Sequence, residues 1–135
     1  MNIFTNGCFD ILHPGHIKML KFCTSLGDHI TVGIDSDRRV QELKGPSRPV
    51  NSQEDRRYML LSLRWVNEVI IFDTDKDLRD TVRGINPSFM VVGSDYRHKE
   101  VIGAEHAQNL IFFEKVNEYS TTNIIQRLRS ATGFA

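Results

Sequence analysis

Two histidines separated by a Pro-Gly pair, His13 and His16, are the residues of this sequence whose type and spacing best suit chemistry. They lie in the stretch TNGCFDILHPGHIKML, where an apolar run passes through a glycine into a helical pattern. Pro14 favours the first turn of a helix, since its missing N–H would have no partner there. A helix N-terminus offers unpaired N–H groups and a positive dipole end, and both suit phosphate. Because positions i and i+3 share a helix face, the two imidazoles predict a binding site for a phosphate chain.

The same stretch allows two other kinds of site. Two histidines at i and i+3 can bind Zn²⁺, but no third ligand with suitable spacing lies near them. Cys8 is conceivable as a nucleophile beside cationic imidazoles, although a phosphate site needs no covalent step. The G-x-G-x-x-G fingerprint of dinucleotide-binding proteins does not occur here. A phosphate site is therefore the interpretation that these residues favour.

Five short apolar runs predict the strands that position this site. They are continuous rather than alternating, which is typical of strands buried on both faces of a parallel sheet. The runs are 2–5, 29–34, 68–72, 88–92 and 109–113. Helical patterns separate or follow them at 15–26, 52–64, 76–84 and 121–130. Asn51, with Glu54 three residues later, is the predicted N-cap of the second helix, and Ser120 is that of the last.

Strands that alternate with helices predict an α/β fold, a Rossmann-like doubly wound sheet of five parallel strands. We expect a single domain over residues 1–135, because this length is typical of one domain and no linker interrupts it. Such sheets bind ligands beyond the carboxyl ends of their strands. The chemistry is therefore expected in the loops at 5–15, 34–51, 73–75, 93–105 and 114–120.

The composition argues against several classes of partner. Basic and acidic residues both number 17, and a net charge of zero does not favour a broad contact with nucleic acid or an anionic membrane. No apolar run approaches the roughly 18 residues of a transmembrane helix, and the N-terminus lacks a signal-peptide pattern. The two cysteines, Cys8 and Cys23, form neither a disulfide framework nor a metal-ligand pattern. We expect a cytoplasmic protein that binds neither nucleic acid nor membrane.

Two segments far apart in the chain resemble the signatures of one family. FD followed by HPGH resembles the H-x-G-H signature of the cytidylyltransferase-like nucleotidyltransferase superfamily. YSTTNIIQRL, at 119–128, resembles the S-T-T helix opening that accompanies H-x-G-H in small bacterial transferases. Almost the whole chain is similar to the adenylyltransferase domain of bifunctional ADP-heptose synthase. The second family that it resembles is glycerol-3-phosphate cytidylyltransferase. The stretches that favour the first of these are LKGPSRPVN and VGSDYRHKEVIGAE.

The resemblance implies transfer of a nucleotidyl group from a nucleoside triphosphate to a phosphate monoester, with release of pyrophosphate. In the first family the substrates are ATP and D-glycero-β-D-manno-heptose 1-phosphate, and the product is ADP-heptose. In the second, CTP and glycerol 3-phosphate give CDP-glycerol. A nucleotide-binding sensor without activity is the non-enzymatic alternative. The resemblance also implies Mg²⁺ carried by the nucleotide phosphates, a homodimer, and a separate kinase that supplies the sugar phosphate.

Three residues are predicted to act on the reacting phosphates. His16 is expected to stabilise the α-phosphate as charge builds, and His13 to hold the triphosphate beside it. Lys44 is expected to neutralise phosphate from a mobile loop, with Arg48 as a weaker candidate of the same kind. The segment before S-T-T lacks the arginine that the cytidylyltransferase pattern carries, and Lys115 is expected to replace it.

The remaining predicted site residues bind the two substrates. Asp35, which follows the second strand, is expected to bind a hydroxyl of the acceptor or of the ribose. Arg56 is expected by family position to reach the acceptor phosphate, with Arg57 as the alternative. The predicted nucleotide-binding positions are Gly7, Cys8, Phe9, Gly15, Gly93, Asp95, Ser120, Thr121 and Thr122.

Overall fold

Each of the five apolar runs forms a strand, and together they form the predicted parallel sheet. The computed structural model describes residues 1–114 and 120–132. The strands are β1 (Asn2–Gly7), β2 (His29–Asp35), β3 (Glu68–Phe72), β4 (Phe89–Gly93) and β5 (Leu110–Phe113). The helices are α1 (Pro14–Thr24), α2 (Asp37–Lys44), α3 (Gln53–Leu61), α4 (Asp75–Ile85) and α5 (Thr121–Thr132). Short 3₁₀ turns at Ser94–Tyr96 and Ala104–His106 lie between β4 and β5.

The strand order β3-β2-β1-β4-β5 places β1 at the centre of the sheet. All neighbouring strands are parallel. The chain winds outward from β1 to β3 on one side, then crosses over to β4 and β5 on the other. This reversal opens a crevice beyond the carboxyl ends of β1 and β4, which is where doubly wound sheets bind ligands. The predicted Rossmann-like architecture is confirmed.

Apolar side chains cover both faces of the sheet, which explains the continuous apolar runs. On one face the core includes Leu20 and Cys23 of α1 and Leu60 of α3. On the other it includes Leu78 and Val82 of α4. All five side chains belong to residues that are at most 3% exposed, so both helical layers are firmly packed. Among the residues that the structure describes, no helix has the length and apolar character needed to cross a membrane.

The start of α3 differs from the prediction by one residue. Ser52 is the N-cap, and its hydroxyl accepts from the backbone N–H of Asp55 at 3.2 Å. Asn51 is therefore not the cap, as the sequence predicted. Its side chain is already engaged, since its Nδ2 donates to the carbonyl of Asp10 at 2.9 Å. Ser and Asn are similar as caps, so the tertiary contact decides between them.

Helix α2 lies in a stretch predicted as loop. Ser36 caps it by accepting from the backbone N–H of Arg39 at 3.2 Å, and Gly45 follows its last residue with a φ of 105°. Val40 is the one buried residue of this short helix, so no apolar period marks it in the sequence. The prediction that Lys44 lies within a mobile loop is wrong, because Lys44 ends a helix.

Candidate active site

A reciprocal cap positions both histidines at the start of α1. His13 is the N-cap, and its Nδ1 accepts from the backbone N–H of Gly15 at 3.1 Å. Nδ1 of His16 accepts in turn from the backbone N–H of His13 at 3.3 Å. The two rings stack with centroids 3.8 Å apart, and the ring of Phe9 lies 4.9 Å from that of His16. The imidazoles thus take the place of the Ser or Thr and Glu of an ordinary capping box.

The cap also decides which nitrogen of each ring carries the proton. An imidazole nitrogen that accepts a hydrogen bond has no proton, so in both rings the proton is on Nε2. Each ring then offers an Nε2–H donor, which is the group that a phosphate oxygen needs.

Asp10 ties the loop after β1 to the loop before α3. Its side chain is fully buried, and its oxygens accept from the backbone N–H groups of Val50 at 2.8 Å and Asn51 at 2.9 Å. Nε of Arg48 donates to the same carboxylate at 3.1 Å. Phe9, the preceding residue, has a φ of 49°, in a region that bulky side chains rarely adopt. Such a conformation persists only where its surroundings hold it, and the contacts of Asp10 do so.

The start of α5 packs against the first loop, which brings the two signatures together. The hydroxyl of Thr121 donates to the carbonyl of Ile11 at 3.0 Å and lies 3.4 Å from the backbone N–H of the same residue. Ser120 is the N-cap of α5, as predicted, because its hydroxyl accepts from the backbone N–H of Asn123 at 2.9 Å. The N-termini of α1 and α5 consequently lie side by side.

The hydroxyls of Ser120, Thr121 and Thr122 all contact protein groups. Oγ1 of Thr122 accepts from Nη1 of Arg48 at 3.3 Å, and the other two make the contacts just described. The sequence predicted that these three residues bind the nucleotide. In the structure their hydroxyls hold the start of α5 in place. The N–H groups in the first turn of a helix have no acceptor within the helix, so those of α5 are the better phosphate donors.

The strand ends and the two helix starts enclose a cavity of about 490 Å³, a volume typical of ligand pockets. Every predicted site residue among those described lines it except Arg56 and its alternative, Arg57. These residues are Gly7, Cys8, Phe9, His13, Gly15, His16, Asp35, Lys44, Arg48, Gly93, Asp95, Ser120, Thr121 and Thr122. Oδ1 of Asn6, also in the lining, is buried with no hydrogen-bond partner among the described residues. An unpaired buried acceptor of this kind is expected where a ligand binds.

Arg56 does not reach the cavity, so its predicted contact with an acceptor phosphate is corrected. The residue is 1% exposed. Its Nη1 donates at 2.8 Å to the carbonyls of both Cys8 and Asp35, and its Nε donates at 3.0 Å to that of Asn51. Nη2 pairs with Asp37 at 2.8 Å. Arg56 therefore positions the loops after β1 and β2 from the protein interior, and it does not line the cavity.

Cys8 is a hydrogen-bond donor in this site. Its Sγ lies 3.3 Å from Oδ2 of Asp35. Burial, followed by the charge and hydrogen bond of Asp35, raises the pKa of the Cys8 thiol from 9.0 to about 12. Because the thiolate is the nucleophilic form, the covalent alternative allowed by the sequence is disfavoured.

Lys44 and Arg48 bring positive charge to the cavity from the end of α2 and the loop after it. Lys44 is exposed, and its charge opposes the rise in the pKa of the Cys8 thiol. Arg48 is almost buried between Asp10 and α5, which fixes its guanidinium. The predicted role of Lys115 lies outside the described residues.

Two helix N-termini, two capping imidazoles and the cations Lys44 and Arg48 lie around one cavity, an arrangement that suits a nucleotide's phosphates. Residues 4–127 match the family model described as cytidylyltransferase-like. The chain therefore belongs to the cytidylyltransferase-like family and is a nucleotidyltransferase, as its two signatures predicted.

Curated relatives share the name Bifunctional protein HldE. That of Campylobacter fetus subsp. fetus is 46% identical over 94% of this chain and 28% of its own length. That of Sulfurimonas denitrificans is 48% identical over 94% of this chain and 26% of its own length. The chain thus spans about a quarter of these relatives. A crystal structure of the lipopolysaccharide core biosynthesis protein from Thermoplasma volcanium GSS1 has the same fold. The two structures match with a TM-score of 0.72 and 24% sequence identity, and the match covers 86% of this chain and 98% of the Thermoplasma chain.

Proposed function

We propose that this protein transfers the adenylyl group of ATP to D-glycero-β-D-manno-heptose 1-phosphate, forming ADP-heptose and pyrophosphate. The observation that carries the reaction type is the convergence of α1 and α5, with their signatures, on one cavity. The choice of substrates is supported by the relatives named HldE and by the resemblance of the sequence to ADP-heptose synthase.

The reaction needs positioning and charge stabilisation more than proton transfer. A phosphate monoester oxygen is already anionic near neutral pH and attacks the α-phosphorus of ATP in line. The new oxygen–phosphorus bond forms as the bond between the α-phosphorus and its bridging oxygen breaks, and the electron pair leaves on pyrophosphate. The attacking oxygen carries no proton in this form, so a general base is not required.

The residues of the cavity divide this work. The Nε2–H of His16 donates to a non-bridging oxygen of the α-phosphate, where it stabilises the transition state. The Nε2–H of His13 donates to the neighbouring phosphate, and the N-termini of α1 and α5 hold the rest of the chain. Lys44 and Arg48 offset the negative charge that two phosphorylated substrates bring together. Gly93, the last residue of β4, and Asp95, two residues further on, border the base and ribose.

Magnesium would be held in this site by the phosphates of the nucleotide. Within residues 1–114 and 120–132, no group of three or more His, Cys, Asp or Glu side chains is placed to hold a metal ion. Mg²⁺ needs few protein ligands, because it keeps several waters and binds substrate phosphates. A phosphate-binding cavity therefore fits a cation held by the triphosphate. When bound, the ion offsets phosphate charge.

A grid of substrates tests the proposed function. Pyrophosphate release is measured for ATP, CTP, GTP and UTP against heptose 1-phosphate, glycerol 3-phosphate, phosphoethanolamine, phosphopantetheine and FMN. We expect the highest kcat/KM for ATP with heptose 1-phosphate. A base-binding site with buried polar groups set for adenine should reject cytosine strongly. Fastest turnover with CTP and glycerol 3-phosphate would contradict the substrates, and nucleotide binding without turnover in any combination would indicate a sensor.

We also propose that the protein is a cytoplasmic homodimer. The thiols of Cys8 and Cys23 are free, which supports a reducing compartment. The dimer is proposed on the family resemblance. Sedimentation equilibrium at micromolar concentration tests it, since a chain of 15.5 kDa should then have twice this mass.

A further inference from the structure

Arg39, on the first turn of α2, is fixed between two carboxylates at the edge of the cavity. Its Nε donates to Oδ1 of Asp35 at 2.8 Å, and its Nη2 donates to Oδ1 of Asp75 at 2.7 Å. Its guanidinium lies 5.4 Å from the centroid of the Phe72 ring. The Arg39 side chain is only 16% exposed, and Arg39, Asp35 and Phe72 all line the cavity. A long cation held at three points in this way has already lost its rotamer entropy, which lowers the cost of binding a ligand.

The charges of this cluster suit neutral hydroxyl groups better than phosphate. One guanidinium between two carboxylates leaves a net charge of about −1, which repels an anion. The Asp35 carboxylate also accepts from the thiol of Cys8, at 3.3 Å. Tyr96, which is 42% exposed, lies in the same lining and offers a further hydroxyl. Donors and acceptors therefore alternate here, as a group of sugar hydroxyls requires.

The cluster lies beside the phosphate-binding loop. Cys8, which contacts Asp35, is flanked in the chain by Gly7 and Phe9, and the Phe9 ring in turn packs near His16. His16, Asp35 and Arg39 line the same cavity, so an acceptor whose phosphate lies near His16 can extend to Asp35 and Arg39. Lys44 and Arg48 supply the cationic part of the cavity. The phosphate of an acceptor can therefore bind near these cations while its hydroxyls contact the cluster.

We propose that Arg39, with Asp35, binds the non-reacting hydroxyl groups of the acceptor and selects a polyhydroxylated monophosphate over acceptors with a second phosphate or few hydroxyls. This inference rests on the proposed function for the direction in which the acceptor lies. It assigns sugar selection to α2, an element outside both family signatures.

The test measures binding of the acceptor apart from its reaction. Calorimetric titration of heptose 1-phosphate is done with the protein, Mg²⁺ and a non-hydrolysable ATP analogue. Arg39→Ala should raise the Kd of the sugar phosphate roughly 10- to 100-fold, the scale for losing hydrogen bonds to a charged group, and change that of the ATP analogue less than about twofold. Arg38→Ala is the matched control. Arg38 is the adjacent residue, its side chain is 57% exposed, and it pairs with Glu42 and Asp73.

Two further measurements keep the inference testable if Arg39→Ala folds poorly. Arg39→Lys keeps the positive charge but lacks the planar guanidinium with its several N–H donors, so the Kd for the sugar phosphate should still rise at least about tenfold. With the unaltered protein, the same sugar with a second phosphate at its far end, and glycerol 3-phosphate, should each bind at least about tenfold more weakly.

The outcomes separate this inference from the proposed function. Binding of sugar phosphate that depends on Arg39, without pyrophosphate release, would refute adenylyl transfer and leave the hydroxyl site standing. Pyrophosphate release with equal sugar-phosphate affinity in Arg39→Ala and unaltered protein would overturn the hydroxyl site and leave the transfer standing. Preference for the bisphosphate or for glycerol 3-phosphate would also overturn it.

Discussion

The imidazole of His16 uses Nδ1 in the cap of α1, so Nε2–H is the donor that it can offer to a reacting phosphate. We predict that His16→Ala lowers kcat by roughly 10²–10³, the scale for losing one transition-state donor. The affinity for ATP should change much less, because His13 and the helix starts still hold the triphosphate. Steady-state kinetics and nucleotide titration measure the two effects. His29→Ala, an exposed position at the start of β2, is the control.

The capping role of His16 gives a second variant that separates its two functions. His16→Asn keeps a side-chain acceptor for the backbone N–H of His13 but lacks the Nε2–H at its position. It should restore the thermal midpoint lost in His16→Ala without restoring turnover. A fall in kcat of less than about tenfold in either variant would contradict the role given to His16.

The Cys8 thiol should be unreactive in the folded protein. With its pKa raised from 9.0 to about 12, its thiolate fraction near pH 8 is about a thousandfold below that of an unfolded chain. Alkylation by iodoacetamide, mapped by mass spectrometry, should therefore be slow at Cys8 until the protein is denatured. Cys8→Ser, which keeps a donor for Asp35, should retain most turnover. Loss of turnover in this variant would revive the covalent mechanism.

The raised pKa of Cys8 also predicts how stability depends on pH. The folded thiol holds its proton at pH values where an unfolded thiol has released it. Its contribution to stability is therefore full below about pH 9 and is lost as the pH rises towards about 12. Thermal midpoints should fall over this range. The fall should be smaller in Cys8→Ser, because a serine hydroxyl does not titrate there.

At the scale of elements, Arg56 links α3 to the ends of β1 and β2. We predict that Arg56→Met lowers the free energy of unfolding by about 3 kcal/mol or more, since it leaves three backbone carbonyls without their donor. Denaturant unfolding measures this change. Arg57→Met, one residue on and exposed, should change stability by less than about 0.5 kcal/mol. Equal stability of the two variants would contradict the positioning role of Arg56.

The sequence predicted most elements but not their exact roles, and α2 shows why. Its start and end signals are present, with Ser36 before it and Lys44 and Gly45 at its end. Only Val40 is buried, however, so a search for apolar periodicity passes over it. Arg39 was missed with the helix, although it lines the cavity. Arg56 was misplaced because spacing along a chain does not tell whether an arginine faces solvent or the protein interior.

At the scale of the molecule, the location of the site was predictable and its internal contacts were not. Continuous apolar runs imply a parallel sheet, and a parallel sheet gathers its loops at one edge. That rule alone brings His13, Asp35, Gly93 and Ser120 to one cavity. The strand order depends on which helices cover which face. Likewise, the use of Thr121 to join α5 to the first loop depends on a contact between residues 110 positions apart, which no local pattern reveals.

Adenylyl transfer requires that an acceptor phosphate attack the α-phosphorus of ATP at this site. Incubation of heptose 1-phosphate, labelled with ¹⁸O in its phosphate group, with ATP, Mg²⁺ and the protein tests this attack. Mass spectrometry of the products should find all the label in the nucleotide sugar and none in pyrophosphate, because the bond that breaks lies within ATP. Label in pyrophosphate, or an unlabelled nucleotide sugar, would contradict adenylyl transfer by direct attack.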